Sequence, residues 1–316
     1  MYNKGKDCDS PLKLADWKRL VDEVASHHIK SILIRGGEPF LFPKIIELLK
    51  YIKGKGIRIS LDTNGTVLNK YAAEIVEMGN IHLTISLDGP PEIHDKVRGV
   101  QGCFEKIKDN LTLLHELEKS SNQKISKSIC FTIGKYSYKG LAQMPAIARS
   151  MSISTINIVP YYYFSGETGK RYEAELKKHF NCPAFSWKGF HHNRSGIELN
   201  LFRKEYRKYL RNLQDIYNFP YMDFSEDEYR IWFNDSSTPV GSSACRNIEK
   251  LIDIQSNGEA NFCVDFPDYS LGNVKVASLK EIWNSRRASQ FREYRRNQPL
   301  AICYRCGAKY ISEIKE

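Results

Sequence analysis

Along the first half of the chain, short apolar runs rich in β-branched residues alternate with stretches whose apolar residues fall at helical spacing. The runs are Ser31 to Arg35, Ile57 to Leu61, His82 to Leu87, Ser128 to Ile133 and Thr155 to Val159, and their length and composition predict strands. Between them, Pro43 opens a helix carrying Ile45, Ile46, Leu48, Leu49 and Ile52, and Phe104, Ile107, Leu111, Leu114 and Leu117 mark another. Strands alternating with helices predict a parallel sheet built from βα units. Most units begin about 26 residues apart, which fits a (β/α) barrel and a doubly wound sheet equally well. A helix with Leu14, Trp17, Leu20, Val21 and Val24 on one face precedes the first recognisable strand, where the architecture calls for a strand before it.

The pattern changes after Val159. An aromatic run, Tyr161-Tyr162-Tyr163-Phe164, leads into a polar stretch with Pro183, Trp187, His191 and His192, then a helix from Leu201 to Tyr217. This region reads as a linking or substrate-facing insert. The tyrosines fit a strand end packed into a core better than a pocket, and the two histidines fit a surface loop better than a metal site. From Ser243 onward, Leu251 to Ile254 and Ala260 to Cys263 flank Asn257-Gly258, the sequence of a tight hairpin turn. Ser278 with Glu281 three residues on predicts a capped helix. The expected division is 1–160, 161–242 and 243–316.

Of the 316 residues 41% are hydrophobic, enough for a sizeable core. No run approaches the 18 apolar residues of a membrane span, and the first residues contain no apolar secretory segment. A cytoplasmic location and no membrane partner are expected. The net charge is +10, densest at Arg286, Arg287, Arg292, Arg295 and Arg296 on one predicted helix. Such a cluster fits a nucleic-acid surface less well than a solvated helix face, because no nucleic-acid-binding module accompanies it.

Eight cysteines in such a chain read as reduced thiols or metal ligands. Cys103, Cys130 and Cys182 stand apart and read as plain thiols. Cys245, Cys263 and the closing Cys303-Tyr304-Arg305-Cys306 are different. A Cys-x2-Cys pair delivers two sulfurs from one turn, and two distant cysteines complete a set for zinc or an iron–sulfur cluster. The spacing leaves both open.

Three successive predicted strands end in polar, glycine-rich groups: Gly36-Gly37-Glu38-Pro39, Thr63-Asn64-Gly65, and Ser86-Leu87-Asp88-Gly89-Pro90 trailed by His94-Asp95 and Arg98-Gly99. The C-terminal ends of such strands collect ligands, so a shared small-molecule site is expected there. These motifs resemble those of the radical S-adenosylmethionine (SAM) enzymes. Cys245, Asn257-Gly258, Cys263, Leu271-Gly272-Asn273-Val274, Glu281 to Ser285 and Cys303 to Cys306 resemble the SPASM/Twitch auxiliary-cluster domain of that superfamily. The similarity covers roughly 14–160 and 243–310.

The resemblance implies an α/β partial (β/α)6 TIM-like barrel, lacking its first strand, followed by a small cysteine-rich domain. It assigns Gly36, Gly37, Glu38 and Pro39 to the methionine end of SAM, and Ser86, Asp88 and Arg98 to its ribose or carboxylate. Cys245, Cys263, Cys303 and Cys306 would hold one auxiliary [4Fe–4S] cluster. Implied partners are a small-molecule or peptide substrate and an electron donor such as flavodoxin or ferredoxin, with no nucleic acid. The implied activity is hydrogen abstraction through a 5′-deoxyadenosyl radical, the auxiliary cluster aiding oxidation or substrate binding. Asp265 and Asp268, beside Cys263, are candidates for a substrate base or for plain turn residues.

The Cys-x3-Cys-x2-Cys loop that holds the SAM-cleaving cluster is absent, and Cys8 is a single thiol. The simplest expectation is that Met1 lies just downstream of that loop, a second [4Fe–4S] cluster belonging to an intact protein, and that these residues alone do not cleave SAM. The competing readings are a non-catalytic SAM-pocket protein that has lost the radical cluster, and a basic zinc protein that binds nucleic acid.

Overall fold

The computed structural model describes residues 11–192, 194–220, 224–240 and 244–307. In chain order the elements are α1 (Leu14–Ser26), β1 (Ser31–Ile34), α2 (Ile45–Gly54), β2 (Arg58–Thr63), α3 (Ala72–Met78), β3 (Ile81–Ser86), α4 (Pro91–Arg98), α5 (Cys103–Ser121), β4 (Ser126–Ile133), α6 (Met144–Ser150) and β5 (Thr155–Pro160). There follow α7 (Gly166–Phe180), α8 (Leu199–Asn212), β6 (Tyr217–Pro220), α9 (Glu226–Asn234), α10 (Asn247–Lys250), β7 (Asp253–Ile254), β8 (Glu259–Asn261), β9 (Gly272–Asn273), α11 (Leu279–Trp283) and α12 (Arg286–Asn297).

Strands β1 to β6 form one parallel sheet in sequential order. A doubly wound sheet reverses its order at a switch point; sequential order is that of a barrel wall. Periodicity left this choice open, and pairing decides it. The five expected strands are all present. The sixth, β6, was not foreseen, because Tyr217 fell at the end of an expected helix and Pro220 closes a run of only four residues. Proline is tolerated in such an outer strand, and β6 pairs only with β5 among the described strands, Thr155 opposite Tyr217. No described strand precedes β1.

Alternation along the strands sorts residues onto two faces. Leu61, Leu83, Ile85, Ile129, Phe131 and Ile156 are fully buried, each contributing roughly 1.5–3 kcal/mol of apolar burial. Ile85 and the α5 residue Ile107 both stand within 3.5 Å of the position a Cβ on Gly65 would take, so this face meets the helices. The intervening residues are largely polar: Ser60, Asp62, His82, Thr84, Ser86, Ser128, Thr132 and Asn157. A parallel sheet covered by hydrophobic layers on both sides would carry apolar residues at nearly every position. Here one face is a polar lumen wall.

The chain divides into two compact bodies. One comprises 24–161 with 197–220, and so holds β1 to β6 and α8; the other comprises 1–23, 162–196 and 221–316. The stretch read as one insert, 161–242, is therefore shared between them, because β6 pairs with β5 while α7 belongs with the cysteine-rich segment. In that second body, β7, β8 and β9 form an antiparallel sheet. Gly258 at φ +91° supplies the expected turn, and Ser278 and Glu281 make the expected reciprocal cap of α11.

The arginine helix is only partly the solvated face expected from the sequence. Arg292 and Arg295 of α12 are only 8% and 6% exposed. Arg292 lies over the rings of Phe262 and Trp283, at 4.6 and 4.1 Å, and donates to the carbonyls of Ile248 and Trp283. Arg287 lies over Tyr269 and donates to Ser270 O, while Arg296 pairs with Glu249 at 2.7 Å. Planar guanidinium groups stack and cap carbonyls in ways lysine cannot; the cluster is split, with Arg292 and Arg295 fastened in the interior and Arg286, Arg287 and Arg296 on an exposed face.

Candidate cofactor sites

The first site lies at the C-terminal ends of β1 to β4. Glu38 follows β1 and caps the short turn Pro39–Leu41, accepting from Phe40 N at 3.2 Å. The same carboxylate accepts from Thr63 Oγ1 at 2.8 Å and from Asn64 N at 2.7 Å. It thereby ties the end of β1 to that of β2. A carboxylate offers about four lone-pair sites; three are engaged by the protein and one is left for a cation. Gly36, at φ +156°, and Gly37 have nothing within 4 Å of where a Cβ would stand, so a ligand can approach their backbone directly. Pro39 and Phe40 are buried beneath, Phe40 stacked on Tyr71.

At the end of β3, Ser86 is half-buried on the polar face, opposite Cys130 of β4. Asp88 is 3% exposed, accepts from Thr132 N at 3.1 Å and pairs with Arg98 at 2.8 Å. Burial pushes the Asp88 carboxyl up, and Arg98 draws it back. The two residues expected to contact SAM separately thus contact each other, and Asp88 holds the guanidinium in place.

His94 and Asp95 brace this corner. His94 Nδ1 accepts from Asp88 N at 3.1 Å, and Asp95 accepts from Gly102 N and Phe104 N at the start of α5. Burial first, then Arg98, lowers His94 from 6.5 to about 4. The unfolded chain therefore takes up a proton near pH 6.5 that the folded protein refuses until about pH 4. Stability present above pH 6.5 is lost as pH falls through this window, by about 3 kcal/mol in all. His94→Asn, whose amide oxygen replaces the ring acceptor, should flatten that slope in urea denaturation at pH 7, 5.5 and 4.5; an unchanged slope would refute the assignment.

The polar strand face was missed at the sequence level, although strict alternation in β2 and β3 signals it. His82 bridges Ser126 at 2.8 Å and Ser128 at 3.0 Å, and Asn157 donates to Ser128 at 3.3 Å. Asp62 is raised by burial, against a hydrogen bond from Thr84 and the charge of Arg35. Cys130, on the same face, is pushed up to about 12 by burial and by Asp62 and Asp88; it stays a thiol, as its isolation in the sequence implied.

The second site belongs to the other body. Cys245, Cys263, Cys303 and Cys306 line one pocket with Asp265 and Arg295. Burial first, then Cys303, Cys245 and Cys306, push the Cys263 thiol well up. Four thiolates in so enclosed a pocket need a bound cation to exist together. No three described His, Cys, Asp or Glu side chains are gathered as a single-ion cage. Asn261, two residues before Cys263 and 1% exposed, has neither amide atom hydrogen-bonded, an orphan pair that a bound polar group would satisfy. The donor set fits an iron–sulfur cluster.

Asp268 is engaged in the way the turn-residue reading implies. Its carboxylate accepts from Tyr172 OH at 3.0 Å, from Phe185 N and Ser186 N at 2.8 and 3.0 Å, and from the Ser186 hydroxyl. It fastens residues 182–186 to the cysteine-rich segment. His191 is exposed, bridging Phe164 by backbone pairing alone. Tyr163 is buried, its hydroxyl donating to Phe233 O, so the aromatic run is largely core. Cys8 lies outside the described residues.

A βα barrel wall with a glycine-rich first turn, together with a four-cysteine body, defines an α/β cofactor-binding protein with an iron–sulfur domain. Comparison with known proteins makes this specific. Residues 3–140 match the radical SAM superfamily and residues 245–307 match the SPASM iron–sulfur cluster-binding domain. The chain thus carries a radical SAM domain and a SPASM domain, and the cofactors of such domains are SAM and [4Fe–4S] clusters.

Fe-coproporphyrin III synthase of Methanosarcina barkeri is 30% identical over 55% of this chain and 43% of its own length. A cysteine-type anaerobic sulfatase-maturating enzyme of Clostridium perfringens is 25% identical over 87% of this chain and 70% of its own. The structure of Streptococcus suis SuiB bound to its precursor peptide SuiA superposes with TM-score 0.62 at 17% identity, covering 95% of this chain and 64% of SuiB, which shows the shared fold. The chain thus spans less than half of the first relative and under two thirds of SuiB. No described helix is long and apolar enough to cross a membrane.

Proposed function

We propose that this chain is the SAM-binding and auxiliary-cluster portion of a radical SAM enzyme that acts on a peptide. The observation that carries the reading is the gathering of Cys245, Cys263, Cys303 and Cys306 on one pocket within the matched cluster-binding domain. Cys245, Cys263, Cys303 and Cys306 would hold the auxiliary cluster, and SAM bound beside a reduced radical cluster would supply a 5′-deoxyadenosyl radical for hydrogen abstraction.

The chain's own residues then position and exclude. Gly36 and Gly37 leave room for the methionine end of SAM, over the buried Pro39. Glu38, fixed by three donors, directs its remaining lone pair at the ammonium. Arg98, held by Asp88, presents its other N–H groups to the carboxylate, and Ser86 is placed for the ribose. Asp62, His82, Ser128 and Asn157 line the lumen and supply hydrogen-bonding groups to a polar substrate. In SAM-binding calorimetry of reconstituted residues 1–316, Glu38→Gln should weaken binding at least tenfold relative to the parent; unchanged affinity would remove Glu38 from the site.

A peptide substrate is favoured because the sulfatase-maturating relative aligns across both bodies and the intervening stretch, whereas the Fe-coproporphyrin III synthase aligns over about half of the chain. Two measurements test the reading. Anaerobically reconstituted protein of residues 1–316 should hold about four irons with matching acid-labile sulfide; zinc without iron would overturn it. Added iron coproporphyrin should show no Soret shift and no tight binding, and tight binding with a shift would replace the peptide by a tetrapyrrole.

A further inference from the structure

We infer that Arg295 sets the redox poise of the group held by the four cysteines, with Asp265 opposing it. The inference rests on the auxiliary-cluster reading above and goes beyond it, to a residue outside the short motifs that carried the resemblance. Arg295 sits on α12, lines the cysteine pocket and is 6% exposed.

Among the described lining residues Arg295 is the one cationic side chain and Asp265 the one carboxylate. Arg295 is held in place by donating to Gln298 O at 2.6 Å. Its neighbour one turn back, Arg292, is occupied with Phe262, Trp283 and two carbonyls. The two buried arginines of α12 therefore do different work: Arg292 fastens the helix, and Arg295 brings a permanent positive charge to the thiolates.

A four-iron cluster with four thiolates carries a net charge of about −2, and taking up one electron makes it about −3. A fixed guanidinium in an enclosed pocket stabilises the more negative state more, since Coulomb energy grows with charge and is little screened by solvent there. Arg295 thus raises the midpoint potential and Asp265 lowers it. The electron comes from a low-potential one-electron reductant in solution, which is oxidised by the same single electron; no bond is made or broken.

The test is an EPR-monitored redox titration of reconstituted residues 1–316. Arg295→Gln should shift the one-electron equilibrium at least tenfold towards the oxidised form, about 59 mV lower, with about four irons retained. Arg295→Lys, which keeps the charge, should stay near the parent, and Asp265→Asn should move the potential upward. Opposite signs from the two substitutions exclude a general loosening of the fold. An unchanged potential in Arg295→Gln with four irons bound overturns the inference and leaves the cluster reading intact. Loss of iron in both Arg295→Gln and Arg295→Lys makes the residue structural and also overturns it. If the parent chain itself takes up no iron, the cluster reading fails and this inference with it.

Discussion

Cys263→Ser should abolish cluster binding: reconstituted protein falls from about four irons per chain to less than one, and the broad absorbance near 400 nm disappears. Serine keeps the volume but offers a hard oxygen with a high pKa in place of a soft thiolate. The site magnifies the loss, because burial and three neighbouring cysteines already oppose a negative charge at this position. Cys182→Ser is the control. Its thiol donates to Asp268 O at 3.0 Å, a role a hydroxyl also fills, and full iron content should remain. Equal iron in the Cys263→Ser protein would remove that residue from the ligand set.

The contrast between these two cysteines shows what could be read from the sequence. Cys245, Cys263, Cys303 and Cys306 were legible because ligand spacing is a local property of the chain, and the Asn257-Gly258 hairpin and the Ser278–Glu281 cap were legible for the same reason. Five of the six parallel strands were visible as β-branched runs. Their order was not, since it depends on which strands pair, and β6 was hidden by its brevity and closing proline. The polar lumen was written in the alternation of Asp62 with Leu61 and Thr63, and of His82, Thr84 and Ser86 with Leu83 and Ile85, yet assigning it needed the register across strands.

Charge was the least legible property. Arg292 and Arg295 were read as part of a solvated helix face, and both are buried, as is Arg305 in the Cys-x2-Cys turn. For Arg292 and Arg305 the surrounding rings and carbonyls explain this, and Phe262, Ile248, Tyr163, Trp232 and Asp235 among them lie well away in the chain. Likewise Asp88 and Arg98 were each read as ligand contacts, whereas their mutual pairing arises from the return of α4 over the end of β3.

Arg305→Ala should destabilise the cysteine-rich body by about 3–5 kcal/mol and reduce its iron content. Arg305 stands between Cys303 and Cys306 and is 2% exposed. Its guanidinium lies over the rings of Trp232 and Tyr163, at 4.4 and 5.1 Å, and donates to the carbonyls of Asp235, at 2.8 Å, and Trp232. Burial lowers it to about 10, against the pull of Tyr163, so it remains charged at neutral pH. Truncation leaves two carbonyls without their donor and a gap between two aromatic rings. Arg305→Lys should rescue little, because an ammonium cannot stack as a plane or reach both carbonyls in the same geometry. Urea denaturation and iron analysis on the same samples check this: a loss below about 1 kcal/mol, with iron retained, would mean that the Cys-x2-Cys turn holds its shape without the arginine.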